Sequence, residues 1–192
     1  MAEANQEPDL AHFQKIPWCA QLLSSPNITI TPTYSRQYKA STEDALFAET
    51  LKTNDTIRAG ISFHPRHVPG AHQIEEVHTL LTLGYRLNGH PGRAHGGVLA
   101  SVMDEVMASL LSINKRMGLV ALRGDTLTAY LNVSYVKPVG TPGTVLVSAR
   151  FKEIMGRKHF LEATIKGGDG VVLSRAEALF IVTEKPSTEE RL

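Results

Sequence analysis

From Val98 to Leu111 the chain reads VLASVMDEVMASLL, a helix-forming run with few polar positions. A helix that is apolar nearly all round has to be covered on most of its sides. What surrounds it in the sequence is strand. Val77–Leu87 precedes it, and Gly89, Pro91 and Gly92 break the pattern between the two. Three strand-like stretches follow, at Thr128–Val136, Thr144–Phe151 and His159–Lys166. The turn signal GGDG at Gly167–Gly170 then leads into Val171–Val182. Short turns between consecutive strands imply antiparallel neighbours. The order is α+β. It fits a curved antiparallel sheet wrapped around one long central helix, and it fits equally a plain sheet with the helix on one face.

Residues 1–75 read as an N-terminal extension of short helices and loops. One helix is expected around Leu10–Leu23. A second is expected around Thr42–Lys52, where Ser41 or Thr42 caps and Glu43 and Asp44 suit the first turn. Ser62–His72, with two prolines and a glycine, reads as loop. The main domain is expected over 76–183, and residues 184–192 form a polar tail.

The chain has 192 residues, 42% of them hydrophobic and 20% charged, which suits one domain with a proper core. Its formal net charge of +1 gives no general pull towards nucleic acid or an anionic membrane, so an anionic ligand must be held by local charges. The single cysteine, Cys19, allows no intrachain disulfide, and its place in an expected helix gives it no nucleophilic role. No apolar run is read as a membrane span, and the first residues have neither a signal-peptide core nor transit-peptide character. The expected location is cytoplasmic, with mitochondrial and peroxisomal placement left open.

The start of the apolar helix carries the chemistry. Gly96 and Gly97 have no Cβ, so a ligand or another backbone can come close to them. They stand where the first helical turn leaves amides unpaired, and those donors suit an anion or a developing oxyanion. A tight strand-to-helix turn would use the same two glycines. Gly97, Ser101, Asp104 and Ala108 share one helical face. An acid in the middle of such a helix costs free energy unless it is paired or used, so Asp104 is a hydrogen-bonded residue, a solvent-facing one or a catalyst. No G-x-S-x-G elbow, P-loop or G-x-G-x-x-G is present. His64, His67, His72, His78, His90 and His95 follow no common zinc spacing, so no metal or other cofactor is expected.

The stretch AHGGVLASVMDE (Ala94–Glu105) closely resembles the signature of hotdog-fold acyl-CoA thioesterases of the 4-hydroxybenzoyl-CoA thioesterase superfamily. The likeness is greatest to the phenylacetic-acid-pathway and thioesterase-superfamily-member branch, in which an aspartate follows nine residues after the histidine, as Asp104 follows His95 here. TAYLNVSYVKPV (Thr128–Val139) and GRKHFLEATI (Gly156–Ile165) resemble two further stretches of that family. The N-terminal half is similar to fungal members. The resemblance spans about residues 75–183.

It implies the wrapped, hotdog architecture and hydrolysis of an acyl thioester to free acid and thiol, the thiol being coenzyme A or an acyl-carrier protein. The Gly97 amide would polarise the thioester carbonyl, and Asp104 would act as general base or nucleophile. His95 would orient the carbonyl, and Thr128 would help hold the attacking water. Gly96, Asn88 and His90 would line the substrate. Arg157 and Lys158 would meet the phosphates of coenzyme A, with Arg93 and Arg123 as further cations. Many relatives place a polar donor six residues before the histidine, where this chain has Gly89. The stretch Ile113–Leu127 is longer than in relatives of this branch, which implies a lid or a reshaped acyl pocket. Glu105 receives no direct part.

Gly97 and Asp104 lie about 10 Å apart along the helix axis, too far for both to reach one reacting centre. Two antiparallel helices from two chains solve this. The expectation is a homodimer or a dimer of dimers with its sites at the interface. A non-catalytic acyl-binding protein and a dehydratase or hydratase of the same fold are the competing readings.

Overall fold

The computed structural model of the chain describes residues 7–68, 70–118 and 124–183. Seven antiparallel strands form one sheet, in the spatial order β1 (Ile28–Thr31), β2 (Ile57–Pro65), β3 (Glu76–Leu83), β7 (Gly143–Met155), β8 (Lys158–Lys166), β9 (Val172–Val182), β6 (Thr126–Tyr135). A separate small hairpin joins β4 (Asn88–His90) to β5 (Arg93–Ala94). The long helix α3 (Gly96–Arg116) follows at once and packs on β3, β6, β7, β8 and β9. Of the two architectures open to the sequence, the wrapped one is realised.

Nine residues of α3, from Leu99 to Asn114, are buried, and they meet Val77, Leu81, Val147, Leu161, Ile165 and Phe180 from the sheet. The buried Asn114 is fully used. Its side chain accepts from the Ile74 amide at 2.8 Å and donates to the Ile74 and Leu110 carbonyls, tying the end of the helix to the start of β3. By length and composition α3 could cross a membrane, contrary to the expectation of no such run, but it serves as the core helix of this sheet.

The N-terminal region departs most from expectation. The single helix expected over Leu10–Leu23 is two, α1 (Glu7–Gln14) and α2 (Pro17–Leu23). Pro17 excludes the helical conformation at the residue before it, and Ile16 is extended. The helix expected at Thr42–Lys52 shrinks to one wide turn at Leu46–Thr50, because Thr42 and Asp44 sit at positive φ (66° and 60°) and cannot start a helix. The extension is not helices and loops alone. It supplies β1 and β2, and Ser62–Pro65, expected as loop, completes β2. β2 pairs with β3 across the expected boundary at 75/76.

α1 and α2 cover the outer face of this part of the sheet, where Phe13 and Cys19 pack against Ala59, Ile61, Phe63 and Leu80. Burial there pushes the Cys19 thiol up to about 12, out of the nucleophilic range. The expected tail at 184–192 lies outside the described residues.

Candidate active site

The chain enters α3 through an unusual cap. His95 is the residue before the helix, and its Nδ1 accepts from the Gly97 amide at 3.0 Å. An imidazole so placed does what Ser, Asp or Asn does at most helix starts. His95 is itself anchored, its amide donating to the Leu87 carbonyl at 2.8 Å. The Gly97 amide, expected to face a thioester carbonyl, is therefore donated to His95 in the free chain. Both residues are exposed, so the bond faces solvent.

The other expected binding residues ring this cap. A Cβ on Gly89 would stand 3.0–3.3 Å from the His95 ring and backbone, so a side chain in this slot would require His95 to shift. Asn88 is beside it, but its Oδ1 accepts from the Thr141 hydroxyl and is not presented to a substrate. His90 and Arg93 are exposed at the tip of the β4–β5 hairpin. Tyr135, which sequence reasoning missed, closes the other side. Its hydroxyl donates to the Gly96 carbonyl at 2.8 Å, and a Cβ on Gly96 would come within 3.2 Å of its ring. Tyr135 lies inside the family-like stretch Thr128–Val139, which offered a signal for it.

Two turns along the helix, Asp104 meets Thr128. The hydroxyl donates to Asp104 Oδ1 at 2.9 Å. Beside this contact the register of β6 against β9 slips between Thr128 and Tyr130. Burial raises the Asp104 carboxyl above the usual carboxylate range, and the Thr128 bond works against that rise. A carboxyl poised this way is a better proton acceptor than a free one.

The half of α3 that carries these groups is not covered by the sheet. Gly97, Ser101, Asp104 and Ala108 are exposed or half-buried, and so are all residues of β6, the terminal strand. Across the sheet, Leu127, Ile181 and Lys158 fall in one row of β6, β9 and β8. The exposed Arg157–Lys158 turn is thus two strand spacings, roughly 10 Å, from Leu127, the neighbour of Thr128 on β6. Arg123 lies outside the described residues. Of the expected lid, Ile113–Arg116 ends α3, Thr126 and Leu127 begin β6, and residues 119–123 also lie outside the described residues.

Residues 91–174 match the family described as the Thioesterase superfamily. The acyl-coenzyme A thioesterase THEM4 of Rattus norvegicus is 35% identical over 108 residues, which are 55% of this chain and 43% of that protein. The chain thus spans less than half the length of this relative. The uncharacterized mitochondrial membrane protein FMP10 of Saccharomyces cerevisiae is 28% identical over 150 residues, 78% of this chain and 58% of that one. The crystal structure of the thioesterase superfamily protein RHA08564 superposes with a TM-score of 0.51 at 24% identity, covering 64% of this chain and 53% of that chain. Zebrafish thioesterase superfamily member 2 gives 0.50 at 13% identity, covering 57% of this chain and 75% of that chain. These likenesses show that the fold is the hotdog fold.

Proposed function

We propose that the chain is a thioester hydrolase that acts on acyl-CoA at sites shared between two copies of itself. The observation that carries this reading is the Asp104–Thr128 pair, set on the uncovered half of a helix that starts with a capped glycine pair. The similarity to THEM4 supports the same chemistry.

In this reading Asp104 takes a proton from a water held by Thr128, and the hydroxide attacks the thioester carbon. The carbonyl oxygen becomes an oxyanion at the start of the partner copy's helix. There the Gly97 amide exchanges its bond to His95 for one to the oxyanion, with the positive end of the helix dipole behind it. Collapse of the intermediate breaks the carbon–sulfur bond, and the proton from Asp104 goes to the departing thiolate. Arg157 and Lys158 bind the phosphates of coenzyme A. Gly96 and His90 line the approach, Gly96 held by its bond to Tyr135, and Asn88 acts behind them through its bond to Thr141.

The dimer belongs to the proposal. An uncovered half-helix beside a bare edge strand with exposed Leu127, Tyr130 and Tyr135 calls for a partner surface. Residues 76–183 are taken as the hydrolytic unit, with 1–75 as an extension that thickens one end of its sheet. The cytoplasmic location is likewise proposed. The name of the yeast relative supports mitochondria instead, and fractionation of the full-length protein decides between them.

Hydrolysis of a panel of acyl-CoA esters, followed by release of free thiol, tests the reading. Turnover of at least one ester is expected. Tight acyl-CoA binding with no thiol release across the panel would favour the non-catalytic alternative.

A further inference from the structure

Beside Asp104 on α3 stands a second carboxylate, Glu105, which faces a different space. A cleft of about 480 Å³ runs along α3 between the ridge of Glu105, Ser109 and Ser112 and the chain around Ser35 and Lys39. That volume lies in the range of small-molecule sites.

The charged residues of the cleft are nearly all matched. Lys39 bonds Asp44 and lies 3.4 Å from Glu43. Lys115 is 3.7 Å from Asp125, and Arg116 stacks 4.1 Å over the Tyr34 ring. Glu105 differs. Among the described residues it forms no ion pair, and its one side-chain donor is the Ser35 hydroxyl. Burial pushes its carboxyl up to about 7, with repulsion from Asp44 and Asp104 adding to the rise and Lys39 opposing it. No oxygen of Glu105 is a buried atom without a partner, so whatever fills the cleft has to replace the water that meets this carboxylate in the free chain.

The lining of the cleft stops at chain neighbours of the proposed active site, without Asp104 or Thr128 themselves. Ala108, in its lining, is one helical turn beyond Asp104 on the same face. Thr126, also in its lining, is two residues before Thr128 on β6. A thioester held at Asp104 can therefore direct its acyl group over Ala108 into the cleft. A plain alkyl chain there would strip water from Glu105 and the serine hydroxyls and return no hydrogen bond. An acyl group carrying a hydroxyl would give Glu105 a donor in place of the displaced water.

Building on the thioesterase reading, we infer that this cleft receives the acyl group and that Glu105 selects hydroxylated acyl chains over plain ones. The test compares hydroxyhexanoyl-CoA isomers with hexanoyl-CoA. For the wild-type protein the best isomer should exceed hexanoyl-CoA in kcat/KM by about tenfold or more, the size of a hydrogen bond to a charged group. Glu105→Leu should remove that preference. The isosteric Glu105→Gln, which keeps the shape of the helix, should leave a preference of severalfold because its acceptor is neutral. The wild-type ratio should grow between pH 6 and 8 as Glu105 ionises beside Lys39, Asp44 and Asp104, and the ratio in Glu105→Gln should stay flat.

Equal use of both esters by the wild-type protein, or an unchanged ratio in Glu105→Leu, would overturn the inference. Binding of the same esters to Asp104→Asn, followed by calorimetry, separates the two claims. Selective binding of the hydroxylated ester with no hydrolysis by the wild-type protein would refute the thioesterase reading and uphold the cleft. Hydrolysis without selectivity would do the reverse.

Discussion

Along β2 and β3 the sheet is buried on both faces, between the core around α3 on one side and α1 with α2 on the other. Along β6 it is largely bare, and no further strand lies beyond among the described residues. The covered end holds the outer-face cluster of Phe13, Ile61, Phe63 and Leu80 and the hydroxyl chain Thr33–Ser62–Thr79. The bare end holds Thr128, Asp104 and the capped start of α3. The first end thus has a second apolar cluster on its outer face, and the proposed chemistry lies at the second. The second end is bare among the described residues, and in the proposed dimer a second copy would cover it and bring its own Gly97 to Asp104.

The largest expected effect lies at the bare end. Asp104→Asn should lower kcat by about 10² or more with the fold intact, because the amide cannot accept the proton. Steady-state rates on the best acyl-CoA check this, and near wild-type turnover would remove Asp104 from the mechanism. The covered side of α3 should answer in the opposite way. Leu110 is fully buried, so Leu110→Ala should cost about 2–5 kcal/mol in denaturant unfolding. The fraction that remains folded should turn over normally. A specific loss of kcat there would blur the division between the two ends.

Glu105 links pH to stability. Its carboxyl holds a proton more tightly in the folded chain, at about 7 against an ordinary value of 4.5. Its contribution is therefore full below pH 4.5, falls as pH rises, and is lost above about 7. The stability of wild type minus that of Glu105→Gln should drop by roughly 1–3 kcal/mol across that window. Unfolding series at several pH values measure it, and a difference that rises with pH would reverse the assignment.

The smallest expected effect is at the β7–β8 turn. Replacing Arg157 and Lys158 together by Ala should raise KM for acyl-CoA about tenfold or less, through loss of phosphate contacts. KM for the matching pantetheine thioester should hardly move. Equal changes in both would show that the turn does not meet the phosphates.

The same division explains what could be read in the sequence. β6 to β9 and α3 were legible because each shows one apolar face and ends in turn residues. β2 was not, since burial on both faces removes the alternation that marks a strand. Its Gly60 looks like loop chemistry yet is required, because a Cβ there would stand 2.8 Å from the Arg36 side chain. The break at Pro17 was readable in principle, while the positive φ values at Thr42 and Asp44 were not.

At the site, the spacing of His95, Gly97 and Asp104 was visible as a motif. Their partners depend on which strands come together, so Tyr135 against Gly96 and Ser35 against Glu105 were out of reach. That His95 caps Gly97 was also hidden, since a histidine at that position is a rarer cap than serine or aspartate.

The central claim is that each site takes Asp104 from one copy and Gly97 from another. An Asp104→Ala chain and a Gly97→Pro chain should each be inactive, and proline is tolerated in the first turn of a helix. When the two are refolded together, a mixed dimer has one site with both defects and one with neither. Random pairing makes half the dimers mixed, so about a quarter of wild-type activity should return on the best acyl-CoA. If the two chains demonstrably exchange and no activity returns, Asp104 and Gly97 act within one chain and the shared site is wrong.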